Sequence, residues 1–474
     1  MYEDNLSRLF KSWAGEKAAK ITPLALSGSN RKYYRLQSAN KTALGVYNND
    51  TKENLAFVEF SKHFLARGLH VPKIYAEEVT QDIYLLEDLG NTTLFSFLSQ
   101  EKEKAPFSKE LKEYYFKVLK ELPKFQIKAG KGLNYNLCYP RARFDKQSMM
   151  WDLNYFKYYF LKLARISFDE QALEDDYQLF TDYLLEAEQD YFLYRDFQSR
   201  NIMIKDNEVY FIDYQGGRKG ALQYDIASLL YDAKAEIPQQ EREELLDYYI
   251  LELKNYIEVD EYQFRKQFNA YVLIRIMQAM GAYGFRGFYE KKAHFLASIP
   301  PALKNMEYVL QNLNLPIELP TLIPVLQQLL QSKKLKEIGI NRSKLVVSVN
   351  SFSFKRGIPI DESGHGGGFV FDCRALHNPG RYDEYKSLTG KDLKVIEFLN
   401  KESDVQNFIK HTIALVEQSV EKYLERNFDH LSVNFGCTGG QHRSVYMAEY
   451  ITKHLKNNYN IQVKLRHREQ EMKH

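Results

Sequence analysis

The sequence predicts a two-lobed α+β domain followed by a small α/β domain. Short alternating apolar runs crowd residues 20–90 around a single amphipathic helix. Helical periodicity dominates 108–190 and 239–330, and beyond residue 344 strands alternate with helices. A chain of 474 residues also exceeds the size at which one hydrophobic core stops growing, so more than one domain is required.

Taken in order, SGSNRKYYRL (27–36) reads as a turn entering a strand and KTALGVYN (41–48) as a second strand. ENLAFVEFSKHFLARG (53–68) is an amphipathic helix, and DIYLLEDLG (82–90) a strand ending in a loop. That order is the order of a protein-kinase-like upper lobe and its hinge. On this reading Ser27, Gly28, Ser29 and Asn30 form the turn that covers the nucleotide phosphates. Glu53 or Glu59 is the acid of the helix, and Glu87, Asp88 and Leu89 lie beside the adenine. The Tyr- and Phe-rich helices that follow place their aromatic residues at core spacing.

The catalytic signal is YRDFQSRN (194–201) followed by NIMIKDNEVYFIDYQ. Asp196 follows the apolar stretch Tyr191–Tyr194, where a strand gives way to a loop, and Asn201 opens the next strand. Asp213 closes the alternating run Val209–Ile212, where an apolar strand has no other use for a charge. One carboxylate can then orient and deprotonate a hydroxyl, while an amide and a second carboxylate hold Mg²⁺ against the phosphates of ATP. Asp196 is the expected base, and Asn201 and Asp213 are the expected metal ligands.

Lys+Arg 65 against Asp+Glu 62 leaves a formal charge of +3, which excludes a global attraction to nucleic acid or anionic membrane. Cys138, Cys373 and Cys437, few and odd in number, argue against a disulfide scaffold and for a reducing compartment. The first twenty residues mix acids and bases without an apolar segment, and no run of about eighteen apolar residues occurs anywhere. The expectation is a cytoplasmic protein.

Residues 315–344 carry three prolines, a short helix and a basic stretch, a boundary and linker. After it, HLSVNFGC runs into Cys437-Thr438-Gly439-Gly440-Gln441-His442-Arg443-Ser444 and a helix. A strand, a Gly-rich loop and a helix N-terminus bring backbone N–H groups and a guanidinium towards one anion, and a phosphate fits. Cys437 and Arg443 also have the C-x₅-R spacing of cysteine phosphatases, a reading that needs Asp361 or Asp372 as general acid.

SGSNRKYYRL, VPKIYAEE, YLLEDLGNTTL, YRDFQSRNIM and IDYQGGRKGALQYDIASLLYDA, in that order, resemble the aminoglycoside phosphotransferase-like kinases. They are most similar to the anomeric kinases of N-acetylmuramate and N-acetylglucosamine. The resemblance implies a protein-kinase-like domain over 1–330, Asp225 as the structural acid that steadies the catalytic loop, and ATP, Mg²⁺ and a small sugar as ligands. Arg195 and Arg200 become phosphate contacts or salt-bridge partners. Tyr194 stands where the family has a histidine, and the strand 42–47 has no lysine, so Arg31, Lys32 or Lys41 is left to supply a cation.

After the linker 331–344, residues 345–474 resemble the C-terminal domain of the RapZ family through FSFKRGIP, FDCRALHNP, LTGKD, GCTGGQHRSV and RHRE. This implies a sugar-phosphate site at 437–444, with Lys355, Arg356, Asp372, Arg374 and His377 nearby, and a link to regulatory RNA. The tail after Arg466 is only weakly basic, whereas RNA binding needs clustered charge. Two functions follow: an amino-sugar kinase with a sugar-phosphate-sensing module, or a regulatory adapter that binds RNA or protein and keeps a non-catalytic kinase fold.

Overall fold

The computed structural model describes residues 2–24, 31–102, 104–290, 292–338, 345–361, 367–426 and 428–471. They divide into two compact units, 1–285 with 301–332 and 286–300 with 333–474.

The first unit opens with a five-stranded antiparallel sheet made of β1 (Lys20–Pro23), β2 (Lys32–Gln37), β3 (Thr42–Tyr47), β4 (Ile74–Glu78) and β5 (Ile83–Leu86), in the order β1-β2-β3-β5-β4. Period-2 alternation sends Tyr34, Leu36, Ala43, Ile83 and Leu85 to one face. There they bury Leu6, Leu9 and Phe10 of the helix Tyr2–Ala14. Gly45 permits this close cover, because a Cβ there would lie 2.7 Å from Leu36 Cδ1. The opposite face, with Tyr33 and Arg35, is left for the cleft.

The helix Thr51–Leu65 starts at Asp50, whose side chain accepts the Glu53 N–H, and buries Phe57, Phe60 and Phe64. Beyond the hinge come helices and two hairpins. β6 (Tyr191–Leu193) pairs with β9 (Arg218–Gly220), and β7 (Ile202–Lys205) pairs with β8 (Glu208–Phe211). The two-residue turn Asp206-Asn207 has φ of 53° and 61°, the left-handed pair that matches hairpin twist. The helix Glu261–Tyr283 is buried around most of its circumference and forms the centre of the lower lobe. This unit has the two-lobed protein-kinase-like architecture.

The second unit is a small α/β domain with an all-parallel sheet, β10 (Val346–Ser353), β11 (Gly368–Asp372), β12 (His430–Cys437) and β13 (Gln462–His467), ordered β11-β12-β10-β13. Its core joins Val347, Val349, Val433 and Phe435 to Val416, Val420, Met447, Ile451 and Leu455 from helices Ser403–Glu425 and Arg443–Asn458. Ser353 and Cys437 are register partners at the carboxyl ends of β10 and β12, the edge at which parallel sheets bind ligands. No helix among the described residues is long and apolar enough to cross a membrane.

Phe10 is fully buried under the upper sheet. Phe10→Ala is expected to cost about 3–5 kcal/mol of stability. Urea denaturation reads this, and an unchanged midpoint would show that the N-terminal helix lies outside the cooperative unit.

Candidate functional site

The loop after β6 is set by a carboxylate beneath it. Asp225, on the helix Leu222–Leu230, is fully buried. It accepts the backbone N–H of Tyr194 at 2.8 Å and of Arg195 at 3.0 Å, and Gln126 Nε2 at 3.1 Å. Burial pushes its carboxyl up to about 7 against the lowering effect of those three donors. Arg195 sits at φ 83°, a left-handed strain held by the same two backbone bonds. Its guanidinium meets Asp152 at 2.6 and 2.8 Å and the Tyr224 hydroxyl at 2.7 Å, so it forms a buried ion pair of the scaffold. Tyr194 donates its hydroxyl to Ile212 O at 2.6 Å, tying the loop to the residue before Asp213. Arg200 is exposed, and its charge lowers the Asp213 carboxyl.

Asp196 follows, and its carboxylate has no hydrogen-bond or ion-pair partner among the described residues. Asn201 Nδ2 donates to Asp196 O at 2.8 Å and reaches Asp213 Oδ2 at 3.3 Å. That fixes the amide so that its oxygen is the atom left for a cation. Asp213 sits at φ 71° and accepts Gln215 Nε2 at 2.7 Å on Oδ1. Removal from water, then the charge of Asp196, push the Asp213 carboxyl up. An amide oxygen beside two mutually repelling carboxylates is an oxygen donor set that suits Mg²⁺. Asp196, Asn201 and Asp213 are therefore brought to one place.

Of the three basic residues left to supply a cation from the upper lobe, Arg31 is the one at the cluster. Arg31, just before β2, is 3% exposed, with Nη2 at 2.9 Å from Glu53 Oε1 and Nη1 at 4.0 Å from Asp213 Oδ1. Glu53 is thus the acid of the helix, and Gln215 Nε2 spans from it, at 3.3 Å, to Asp213. Glu59 instead pairs with Lys62 at the surface. Lys32 donates to the Tyr2 hydroxyl and Lys41 lies over the Trp13 ring, both against the N-terminal helix. Ser27, Gly28, Ser29 and Asn30 lie outside the described residues.

At the hinge, Glu87, Asp88 and Leu89 line a cleft of about 520 Å³ together with Arg35, Gln37, Thr42 and Lys205. The side chains of both acids are engaged, Asp88 by Arg35 at 2.6 and 2.9 Å and Glu87 by Lys205 at 2.8 Å. What the hinge leaves open to the cleft is therefore backbone and the Arg35 guanidinium, which the sequence did not single out.

In the second unit, most polar side chains of the Gly-rich loop hold the loop itself. Gln441 donates to Lys386 O and Leu388 O, His442 Nε2 lies 2.8 Å from Tyr385 O, and Arg443 Nη1 donates to Arg374 O and Leu376 O. Cys437 is 3% exposed, with Sγ 3.1 Å from Ser444 Oγ. Asp372 is paired with Arg374, and Asp361 lies 3.5 Å from His430. His377 lies 3.2 Å from Glu402. A buried thiol and a guanidinium engaged by carbonyls give phosphatase chemistry no support. The accessible space is a second cleft of about 520 Å³, where Gly439 and Gly440 face Ser353, Lys355, Arg356, Thr389, Glu469 and Gln470. Gly440 has φ 65°, and a Cβ there would lie 2.3 Å from Glu469 Cγ. Thr438 closes the loop through its carbonyl, which accepts the Ser353 hydroxyl at 2.7 Å. Thr389 and Glu469 lie in the LTGKD and RHRE motifs, but the sequence did not assign them or Gln470 to the site because they enter from remote segments.

The fold of the first unit places it among the protein-kinase-like phosphotransferases. The chain belongs to the phosphotransferase enzyme family, whose model matches residues 20–262. Residues 345–471 match the model of the RapZ C-terminal domain. Among curated relatives, a nucleotide-binding protein of Methylococcus capsulatus is 38% identical over 167 residues, 35% of this chain and 53% of the relative. One from Hahella chejuensis is 36% identical over 143 residues, 30% and 48% respectively. The chain spans about half the length of these relatives. Among solved structures, choline kinase LicA of Streptococcus pneumoniae is 15% identical with a TM-score of 0.40, covering 65% of this chain and 99% of its own. A putative aminoglycoside phosphotransferase of Ralstonia eutropha is 13% identical with a TM-score of 0.43, covering 65% and 98%.

The raised Asp225 carboxyl fixes the sign of a pH effect. Between the unfolded value near 4 and about 7, the folded protein retains a proton that the unfolded chain has lost, so stability falls as pH rises through that window. The loss is expected on the order of 4 kcal/mol and to be absent in Asp225→Asn. Denaturation of both proteins across the window tests this, and parallel curves would show that Asp225 does not titrate there.

Proposed function

We propose that the chain is an ATP- and Mg²⁺-dependent kinase of an amino sugar, acting at the anomeric hydroxyl, with a C-terminal module that senses a sugar phosphate in the cytoplasm. The observation that carries the enzyme reading is the unpartnered Asp196 carboxylate, set among the acids Asp213 and Asp225 that are both engaged. Asp196 orients the acceptor hydroxyl and takes its proton, while Asp225 and Tyr194 hold the loop still. Asn201 and Asp213 would hold Mg²⁺, which when bound neutralises charge on the phosphate oxygens. The intact set of Asp196, Asn201 and Asp213 speaks against a non-catalytic adapter. The ordered motifs shared with anomeric kinases support the sugar as acceptor.

The second cleft supports an amino-sugar phosphate as the sensed ligand. Lys355 offers positive charge beside the backbone of Gly439 and Gly440, while Arg356 is ion-paired there with Glu469 at 3.2 Å, whose other oxygen accepts the Ser353 N–H. A phosphate would meet Lys355 and the glycine N–H groups, and an ammonium would share Glu469 with Arg356; glucosamine 6-phosphate carries both groups. In the tail, Arg466 pairs with Glu471 and Arg468 donates to Gly357 O, which favours a small ligand over RNA. Cys138, Cys373 and Cys437 are all free thiols, in keeping with a reducing compartment.

ATP consumption with Mg²⁺ should be measured against N-acetylglucosamine, N-acetylmuramate, glucosamine and simple hexoses, with the product position read by phosphorus NMR. A C1-phosphorylated amino sugar is expected, and turnover with none of them would favour the adapter. Asp196→Asn should lower kcat by roughly 10²- to 10⁴-fold while Mg-nucleotide binding persists, and unchanged turnover would reject the base.

At the C-terminal cleft, the double variant Lys355→Ala/Arg356→Ala should weaken glucosamine 6-phosphate binding by about 10-fold or more. Glu469→Gln should erase preference for the free amine over N-acetylglucosamine 6-phosphate. Calorimetry on the full chain reads both, and wild-type affinity in the double variant would place the ligand elsewhere.

A further inference from the structure

We propose that Arg31 is the side chain that grips the nucleotide phosphates, reaching from the start of β2 into the place that a β3 lysine would occupy. The proposal rests on the kinase reading above. Register sets the geometry: Tyr33 pairs with Val46 and Lys32 with Tyr47, so the residue before β2 lies opposite the end of β3. Strand alternation puts Tyr33 and Arg35 on the cleft face and Tyr34 and Leu36 under the N-terminal helix. On β3, Leu44 and Val46 share that cleft face and neither carries charge. Arg31 brings a charge to the same position from the neighbouring strand.

Its surroundings call for an anion. The guanidinium is almost wholly buried, between Glu53, the Tyr33 hydroxyl at 3.2 Å and the Phe57 ring at 5.9 Å. Among the described residues, Nε is buried with no hydrogen-bond partner. A buried donor left unpaired is costly, and a charged one more so. Glu53 holds one edge of the planar fork while Asp213, in the proposed metal site, stands 4.0 Å from Nη1. A phosphate entering between Arg31 and a metal at Asp213 would meet positive charge on both sides. A guanidinium suits this better than an ammonium, because its fixed fork can hold a carboxylate and a phosphate oxygen together. Lys32 and Lys41 are turned to the N-terminal helix by the Tyr2 hydroxyl and Trp13, and Arg35, on the cleft face, is held by Asp88 at 2.6 and 2.9 Å.

Titration of the full chain with Mg-ADP and with adenosine separates phosphate grip from a structural role. Arg31→Met is expected to weaken Mg-ADP by about 10- to 100-fold and leave adenosine unchanged, with Arg31→Lys recovering part of the loss. Arg31→Met/Glu53→Gln, which strands no carboxylate, should show the same selective loss if the single variant folds poorly. Equal weakening of ADP and adenosine, or wild-type ADP affinity in a folded variant, would overturn the assignment while leaving the kinase reading intact. A wild-type protein that binds no nucleotide would overturn both.

Discussion

The catalytic loop depends on one buried carboxylate. Asp225 lies in the core, where charge is unfavourable, and holds two consecutive backbone N–H groups that would otherwise have no partner. Those bonds keep Arg195 in its left-handed conformation, and that turn presents Asp196 away from the strand that precedes it. The buried pair of Arg195 with Asp152 and the Tyr194 bond to Ile212 O brace the loop from either side. A loop tied at three points can leave its remaining carboxylate unpaired, since the energy that holds it comes from the neighbours. The tyrosine in place of histidine fits the same logic: its task here is a hydrogen bond to a carbonyl, and a hydroxyl on a longer ring reaches it.

Asp213 is positioned in a comparable way from the upper lobe. Tyr214, next in sequence, is fully buried, stacks on Phe57 at 5.2 Å and meets Ser61 Oγ at 2.5 Å. Gln215 then links Asp213 to Glu53. The residues after Asp213 therefore fasten it to the helix Thr51–Leu65, so the position of that helix and of Asp213 are one structural variable. Arg31 enters this network through Glu53, which couples the proposed phosphate grip to the proposed metal site through two side chains.

The main outlines of the fold were legible in the sequence because they follow from periodicity. The strands of the upper sheet, the Asp-Asn hairpin turn and the strand–loop–helix of the second unit are all local patterns. Asp196, Asn201 and Asp213 were legible as a cluster because a polar group at the end of an apolar strand is costly unless it holds a ligand or braces the backbone, whereas Asp225 was read from the resemblance of its motif. The identity of the upper-lobe cation was not, since three basic residues lie near the same strands and only pairing register and helix cover separate Arg31 from Lys32 and Lys41. Arg35 escaped for the same reason: its bond to Asp88 joins residues 53 positions apart.

The second unit shows the limit of a motif more sharply. A Gly-rich loop before a helix suggests that its polar side chains serve an anion, yet Gln441, His442 and Arg443 are engaged by carbonyls of residues 374–388. Folding accounts for this, because the segment that crosses from β11 to the next helix has carbonyl groups near the core that need donors. The loop supplies those donors and is thereby fixed in shape. What it offers a ligand is backbone and the space at two glycines, and charge must come from the opposite wall, at Lys355, Arg356 and Glu469. Any selectivity of the proposed site would thus rest with residues outside the motif, and loops of one shape can face walls that select different ligands.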